Sequence, residues 1–500
     1  MDNNYVLAVY DFRSKQDYIY KTNKVKEIMG ASKLIEDAYK NAIDEYNKTE
    51  TKIQTDKSGK FSLSEFEKLD FSACILYEGG GNLLMLFKSS GEFTAFNNHF
   101  SWYLIKNAPG LSPICGKTGL DKTQSYDDNV GRVFSDLGEY KRLAPPAAYA
   151  DVLPFTQIDR NTSSPVSYKG DDYTVEDSSL SAESVAKHEK YLEIENDKYA
   201  KNLDDLVEKK GEESLLALIY VDGNGMGQRV KNKTNGCNFE QGVNAMREFS
   251  EDIKKAFVDE PLEAIQDKLG NLEGKNILAM RRIIGGGDEI TIVCNARNAL
   301  KAADIYFKKL AEDPQKFSSC MGIAVFHSHA PFADIYKIAE QCCESGKAET
   351  KIEGSENKSY VDAYFCRGAV TGEMAELRQK QEGKRTKMPY CIGEEFTRFK
   401  TLGASLKSNN IARTNVKALR DAAFASDSDF ELELMRVRSN AKKGSIEIKA
   451  ADMPVFCDAA AFFDLWFRDA DISDLIDTND INTDTDGSDC DASNKDNVKI

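Results

Sequence analysis

Short apolar runs alternate along this chain with longer stretches in which apolar side chains recur at helical spacing. The runs are rich in β-branched and aromatic residues and predict buried strands. They lie at 5–10, 73–77, 83–87, 215–221, 290–293 and 319–326. The stretches between them, such as 19–39 and 335–347, predict helices, and 370–470 is helical in pattern throughout. The chain is therefore expected to have an α+β fold followed by a helical C-terminal region.

The stretch 283–293 carries the clearest local signal. Two β-branched runs flank three glycines and the adjacent acids Asp288 and Glu289, which predicts a tight hairpin with the carboxylates at its turn. Gly286 and Gly287 would give the turn its conformational freedom and let a triphosphate approach the backbone. The two carboxylates are hard oxygen ligands of the kind that Mg²⁺ or Mn²⁺ prefers.

A third carboxylate ends a second apolar run. The run 215–221 is too short to span a membrane and stops at Asp222, as a central buried strand with a ligand at its tip would. If this strand pairs with the hairpin, Asp222, Asp288 and Glu289 converge, and their repulsion favours a cation between them. The pattern predicts two-metal nucleotidyl transfer, in which one ion activates a ribose hydroxyl and the other stabilises the α-phosphate and the departing pyrophosphate.

The same plan occurs twice. An apolar strand ending in an acid, helices and a glycine hairpin are found at about 5–105 and again at about 214–365. In the first copy the hairpin reads Gly79-Gly80-Gly81-Asn82, with Asn82 where the second copy has Asp288. Two copies of one fold imply a pseudo-dimer, in which the first copy binds nucleotide or shapes the pocket instead of holding the metals. The alternative that both hairpins are ordinary β-turns remains open.

Composition narrows the class of protein. The 500 residues carry a formal charge of −16, which argues against a main affinity for a nucleic-acid backbone but allows a local basic site for triphosphates. The 11 cysteines form no CxxC pair, and the 4 histidines form no HExxH motif. Without a signal peptide or a long apolar run, we expect a cytoplasmic protein with reduced thiols and no membrane contact.

Five regions are predicted from these patterns. They are a first palm at 1–105, an irregular connector with a helical segment at 106–213, a second, catalytic palm at 214–368, a helical domain at 369–470 and a disordered acidic tail at 471–500. The glycine-rich segment at 223–227 follows a strand, but its GxGxG spacing makes a dinucleotide-binding reading weak.

These motifs resemble a known family. The hairpin sequence at 286–290 is similar to the GGDEF signature of cyclic dinucleotide synthases and to the GGDD signature of the palm-domain large subunit of type III CRISPR complexes. Three further elements favour the second: DGNGMG at 222–227 resembles the strand tip of the Cmr-type subunit, MGAS at 29–32 and GGGN at 79–82 resemble its first-palm elements, and 322–347 resembles its closing strand and helix ending in lysine.

The resemblance implies two ferredoxin-like palm domains, each an antiparallel sheet with helices on one face, that bind two ATP molecules and join them into cyclic oligoadenylate for antiviral defence. It implies Mg²⁺ or Mn²⁺, in two sites, as the cofactor. Carried over by position, it makes Asp222, Asp288 and Glu289 catalytic metal ligands, with Gly223 beside them in the metal site. The implied nucleotide-binding residues are Ser32, Gly80, Gly81, Asn82, Ser250, Gly286, Gly287 and Lys347. From the residues alone, Lys347 could equally be a solvent-exposed lysine.

Several departures from the family qualify these expectations. There is no HD nuclease motif, and the family's four-cysteine zinc element is reduced to Cys115, so no zinc is expected. Asn224 and Glu289 replace aspartates of the family's motifs, which leaves a cyclic dinucleotide as another product. A stand-alone or reduced defence enzyme is expected, with other nucleoside triphosphates as further substrates and a downstream effector that recognises the cyclic nucleotide. The alternatives are a non-catalytic or RNA-activated scaffold subunit of an RNA-guided complex, and a diguanylate cyclase.

Overall fold

The computed structural model divides into two compact units, Met1–Arg378 and Gln379–Ile500. It describes residues 5–48, 52–57, 59–143, 155–169, 179–207, 214–368, 372–383, 385–409, 411–440, 448 and 452–468. The predicted acidic tail at 471–500 lies outside the described residues.

The first unit contains most of the described strands and helices. Its strands are β1 (Val6–Phe12), β2 (Ile53–Gln54), β3 (Ala73–Gly79), β4 (Asn82–Phe87), β5 (Pro113–Gly119), β6 (Val166–Lys169), β7 (Ser179–Ser181), β8 (Leu215–Gly223), β9 (Met280–Gly286), β10 (Glu289–Asn295), β11 (Ser319–His327) and β12 (Tyr360–Phe365). Its helices are α1 (Lys15–Ile19), α2 (Val25–Tyr46), α3 (Leu63–Lys68), α4 (Ser90–Asn107), α5 (Tyr126–Leu143), α6 (Ala182–Ile194), α7 (Met226–Thr234), α8 (Phe239–Lys254), α9 (Glu260–Leu269), α10 (Ala299–Ala311) and α11 (Phe332–Glu349).

The first sheet has the strand order β2-β3-β4-β1-β5, and β1 pairs antiparallel with both β4 and β5. Its centre is apolar, since Leu7, Ala8 and Val9 of β1 are fully buried. β5 and α5 lie in the segment that the sequence predicted to be an irregular connector. The first palm therefore extends beyond residue 105. β5 was missed because its sequence, PICGKTG, is too rich in glycine and polar residues to show an apolar strand pattern.

The second sheet repeats this topology. Its strands in the first unit follow the order β12-β11-β8-β10-β9, in which β11, β8, β10 and β9 are antiparallel neighbours. β12 extends the sheet by pairing parallel to β11. In both sheets the strand ending in an acid is central, the hairpin lies on one side and the closing strand on the other. The prediction of an α+β fold with two ferredoxin-like palms is confirmed.

A close helix–strand contact recurs in both halves. A Cβ at Gly116 of β5 would lie 2.6 Å from the backbone oxygen of Val133 in α5, and a Cβ at Gly322 of β11 would lie 1.8 Å from that of Ala339 in α11. Both separations are far below van der Waals contact, so only glycine allows each helix to lie this close to its strand. The closing helices α5 and α11 are thus seated on equivalent strands in the same way.

The second unit is helical, as predicted. After α12 (Met374–Gln381), which crosses the boundary between the units, it contains β13 (Tyr390–Cys391), α13 (Glu394–Ser408), α14 (Arg413–Ala425), α15 (Asp427–Asn440) and α16 (Met453–Ala461). The aromatic cluster near its end is packing, since Trp466 is 2% exposed and stacks on Phe462 with ring centroids 4.0 Å apart. Among the described helices of the whole chain, none is long and apolar enough to cross a membrane.

Candidate active site between two glycine hairpins

The three predicted carboxylates meet at one edge of the second sheet. Asp222 at the end of β8 is the Cα partner of Glu289 at the start of β10. Asp288 occupies the turn between β9 and β10, and a Cβ at Gly223 would lie 2.8 Å from its carboxylate oxygen Oδ2. Glycine at position 223 therefore leaves the space in which Asp288 lies beside Asp222. Strand pairing and one missing side chain together bring the acids into a single cluster.

The helix that closes the second palm adds a cation to this cluster. Because α11 lies close against β11 at Gly322, Lys347 in its last turn reaches Asp222, to which its ammonium group donates a hydrogen bond. Burial is the largest single influence on Lys347 and acts to lower its pKa, but the charge of Asp222 and the hydrogen bond to it, with smaller contributions from neighbouring groups, together raise the pKa. The side chain is 22% exposed, so the alternative of a solvent-exposed lysine is wrong.

The acids repel one another in a poorly solvated place. Burial, followed by the charge of Asp222, raises the pKa of Asp288 to about 6. The same two causes raise the pKa of Glu289 to about 7, although the hydroxyl of Tyr336 donates a hydrogen bond to its Oε1 over 3.4 Å. A group with such shifts in a cleft is a candidate for functional chemistry.

The fit of a divalent cation rests on this donor set. In the part of the chain that the structure describes, no group of three or more His, Cys, Asp or Glu side chains is arranged to hold a metal ion, and Asp222 is paired with Lys347. The chemistry of the set nevertheless fits Mg²⁺ or Mn²⁺, because its donors are hard carboxylate oxygens whose repulsion a cation would relieve. Lys347 contacts only Oδ2 of Asp222, and a carboxylate can bind a cation through its second oxygen.

A cavity of about 960 Å³ opens beside the carboxylates, between the hairpins of the two palms. The predicted site residues that line it are Ser32, Gly80, Gly81, Asn82, Asp222, Ser250, Gly286, Gly287, Asp288 and Glu289. The other two predicted residues, Gly223 and Lys347, do not line the cavity but contact Asp288 and Asp222. The structure thus brings together all the residues that the motifs singled out, while their individual roles stay predictions.

Each palm contributes a helix to the wall formed by the other palm. Ser250 of α8 donates a hydrogen bond over 3.2 Å to the backbone oxygen of Glu78, next to the first hairpin. Arg247, one turn earlier, donates to the backbone oxygens of Leu76 and Ile75. On the opposite wall, α2 carries Ser32. Both serines that the resemblance implies as nucleotide-binding residues therefore line the same cavity.

Gly30, within the MGAS element, has a packing role. A Cβ at Gly30 would lie 1.7 Å from the backbone oxygen of Lys187 in α6. Helix α6 can therefore cross α2 only because position 30 has no side chain. The crossing fixes the rotation of α2 and with it the direction of Ser32, two residues further on.

When the two hairpins are matched by their strand pairing, equivalent residues are shifted by one position from the match that the sequences suggest. β3 and β4 end in the pair Gly79 and Asn82, and β9 and β10 end in the pair Gly286 and Glu289. Asn82 is therefore equivalent to Glu289, and Gly81, not Asn82, stands where the second palm has Asp288. The alignment by glycines was wrong here because the turns differ: φ is positive at both Gly80 and Gly81, but in the second turn only at Gly287.

Basic side chains in the cavity were missed by the sequence analysis. Lys15 lines it, with its Nζ 2.6 Å from Asp11 and 3.1 Å from the backbone oxygen of Gly81. Lys57 also lines it and pairs with Glu78 over 3.1 Å. Both lysines come from loops or a short helix with no motif of their own. The sequence carries one signal for Lys15: it follows Asp11 by the same number of residues as Met226 follows Asp222.

Comparison with known proteins identifies the fold. No protein-family model matches the sequence, and no curated protein matches it. A Csm1–Csm4 cassette solved in complex with AMPPNP matches with a TM-score of 0.53 and 11% identity, covering 93% of this chain and 69% of that one. The cassette in complex with cA4 matches with a TM-score of 0.52 and 12% identity, covering 92% and 69%. A Csm1–Csm4 subcomplex of a type III-A CRISPR–Csm interference complex gives 0.51 and 12%, with the same coverage.

At this level of identity the likeness shows a shared fold. The structures compared above are Csm1–Csm4 assemblies, one of them from a type III-A CRISPR complex, in agreement with the type III CRISPR resemblance of the motifs.

Proposed function

We propose that this protein is a metal-dependent nucleotidyltransferase that joins ATP into a cyclic oligonucleotide, a cyclic oligoadenylate or a cyclic dinucleotide, as a second messenger in antiviral defence. The observation that carries the proposal is the cluster of Asp222, Asp288 and Glu289 on a cavity closed by two glycine hairpins. Solved structures of the same fold hold AMPPNP, ATP, cA3 and cA4, which supports an adenine nucleotide as the ligand.

The residues around the cavity would have separate roles in binding the nucleotide and the cations. Gly286 and Gly287 let the triphosphate approach the hairpin backbone, and Asp222, Asp288 and Glu289 hold one or two divalent cations. Such cations supply Lewis acidity at the α-phosphate and at the attacking hydroxyl. Lys347 balances the charge of Asp222 until a cation binds.

The reaction proposed at this cavity is an in-line substitution. A ribose hydroxyl of one nucleotide forms a bond to the α-phosphorus of the other, pyrophosphate leaves, and the hydroxyl proton passes to solvent. The two palms would hold one nucleotide each.

A product assay tests the proposal directly. Purified, nucleic-acid-free protein is incubated with each nucleoside triphosphate and with mixtures, in Mg²⁺ and in Mn²⁺, and products are resolved by mass spectrometry. We expect a cyclic adenine nucleotide from the wild type and about a hundredfold less from Asp288→Asn and Glu289→Gln. Asp197→Asn is the matched control, because that side chain is 97% exposed and outside the cavity. Equal product from all four proteins would refute the assignment, and a guanine product would point to a diguanylate cyclase.

A second function, a scaffold subunit of an RNA-guided complex, is favoured by a different observation. Trp102 and Ile105, one turn apart on α4, are 70% and 64% exposed, and exposed apolar groups of this size are typical of partner surfaces. One similar structure is a subcomplex of an interference complex. A scaffold would give no product with any nucleotide and would copurify with RNA or partner subunits. Product that forms only after RNA is added would assign an RNA-activated subunit.

A further inference from the structure

The first palm contains a counterpart of the Asp222–Lys347 pair. Asp11 ends β1 as Asp222 ends β8, and Lys141 of α5 lies 2.5 Å from the Asp11 carboxylate. Lys141 follows Gly116 by the same number of residues as Lys347 follows Gly322, and these glycines seat the two closing helices on their strands. The acid and its lysine therefore belong to the duplicated fold and occur in both halves.

The two halves differ in what surrounds this pair. Ser14 and Gly225, the residues before α1 and α7, both adopt the left-handed conformation, with φ of 45° and 64°. The next residue is Lys15 in the first palm and Met226 in the second. Lys15 turns back to Asp11 over 2.6 Å, and a Cβ at Gly81 would lie 2.2 Å from its Nζ. Glycine at position 81 therefore makes room for the lysine where the second palm has Asp288.

These exchanges reverse the charge of the site. In the first palm the equivalent positions hold one carboxylate, Asp11, against two ammonium groups, those of Lys15 and Lys141. In the second palm three carboxylates face the single ammonium group of Lys347. This set of groups is therefore net cationic in the first palm and net anionic in the second. Lys15 is its member that lines the first end of the cavity, where Asp17 and Glu78 also line it. A triphosphate meets attraction at the first end without any metal, whereas at the second end it meets repulsion unless cations intervene.

We propose that Lys15 is a phosphate-binding residue and that the first palm binds the triphosphate of a nucleoside triphosphate directly, without a divalent cation. The inference rests on the proposed function for the identity of the ligand, and it adds a residue, a second site and the independence of that site from divalent cations. Lys15 lines the cavity and its side chain is 27% exposed, so its ammonium group is accessible to a ligand. Lys141 keeps Asp11 neutralised while Lys15 turns to phosphate.

Calorimetric titration in EDTA tests this site, with inorganic tripolyphosphate and AMPPNP as probes. We expect the wild type to bind one equivalent, more weakly as salt is raised. Lys15→Met, which installs the residue of the second palm, should weaken binding about tenfold, and Lys15→Arg should restore it. Lys33→Met is the matched control, because Lys33 is 30% exposed but does not line the cavity. Asp288→Asn should leave metal-free binding intact. Unchanged affinity of Lys15→Met, or equal loss in Asp288→Asn, would overturn the proposal.

A gain-of-function variant keeps the proposal testable if Lys15→Met does not fold. Met226→Lys combined with Asp288→Gly and Glu289→Asn gives the second palm the residues of the first. This variant should bind two equivalents of tripolyphosphate in EDTA, and a single equivalent would count against the proposal. The readout is independent of catalysis. If the product assay fails while these binding results hold, the proposed function is wrong and the phosphate site stands.

Discussion

Gly287 of the second hairpin meets Gly80 of the first, and a Cβ at position 287 would lie 3.4 Å from both the Cα and the N of Gly80. At this point the two hairpins therefore approach backbone against backbone, with no side chain between Gly287 and Gly80. Gly287 also has φ of 63°, a conformation that L-residues adopt at a cost.

The substitution Gly287→Ala should therefore disturb the cavity more than Gly286→Ala does. We expect a loss of about 1–2 kcal/mol of stability in urea unfolding and weaker AMPPNP binding. Gly286→Ala is the control for the stability measurement, since a Cβ there meets nothing within 4 Å of the protein and its φ is not positive. Equal losses of stability in the two variants would mean that neither the positive φ of Gly287 nor its approach to Gly80 matters for the fold.

Divalent cations should stabilise the folded protein through the acid cluster. A ligand that binds only the native state raises the melting temperature, and Mn²⁺ at about a hundred times its Kd would add about 2.7 kcal/mol. Asp288→Asn with Glu289→Gln should abolish this shift and leave the metal-free protein no less stable than the wild type, because charge repulsion is relieved. Thermal melts of both proteins with and without Mn²⁺ measure the change in melting temperature. A Mn²⁺ shift that survives in the double variant would place the cation elsewhere.

The close packing of α11 on β11 should affect product formation as well as stability. Gly322→Ala pushes a Cβ against the backbone of Ala339, so α11 must move and Lys347 with it. Gly116→Ala makes the equivalent change under α5. We expect each to cost about 1–3 kcal/mol in unfolding experiments. Only Gly322→Ala moves the lysine of the acid cluster, so its product formation at saturating Mn²⁺ should fall further than that of Gly116→Ala.

The second unit should lose stability as the pH rises. Burial raises the pKa of Asp458 to about 7, and its carboxyl group accepts hydrogen bonds from the Tyr390 hydroxyl and the Lys387 amide. The pKa of an aspartate in the unfolded chain is about 4. Between pH 4 and pH 7, roughly, the native state therefore binds one proton more at Asp458 than the unfolded state does. Stability then falls by up to about 1.4 kcal/mol per pH unit from about pH 4 to about pH 7 and levels off above.

Trp466 reports this transition. Urea unfolding followed by its fluorescence, in a Trp102→Phe background that removes the tryptophan of the first unit, isolates the second unit. Asp458→Asn resembles the protonated carboxyl group and should flatten the pH dependence. A wild-type profile that is already flat would mean that Asp458 keeps its charge when buried.

The parts of the site that could be predicted from sequence are those with local signals. The hairpin at 283–293 is recognisable from the glycines between its β-branched runs, and Asp222 from the apolar strand that precedes it. Lys141 could not be found in this way, because its place depends on which strands pair and how closely α5 lies on β5. The spacing of Lys15 from Asp11 becomes a signal only when the two halves of the chain are aligned with each other. The shift of Asn82 to the position of Glu289 depends on turn geometry, which the identical run of glycines conceals.

The crossing of α2 and α6 at Gly30 has a mechanical consequence. Helix α6 is tied to the start of the first palm by Lys187, which is fully buried and donates to the backbone oxygen of Tyr18 over 2.6 Å. Because no side chain separates the two helix backbones at Gly30, there is no soft layer to absorb a displacement. A push on α6 from outside is therefore passed to α2 and reaches the cavity wall at Ser32. The crossing therefore couples helix α6 closely to the cavity wall.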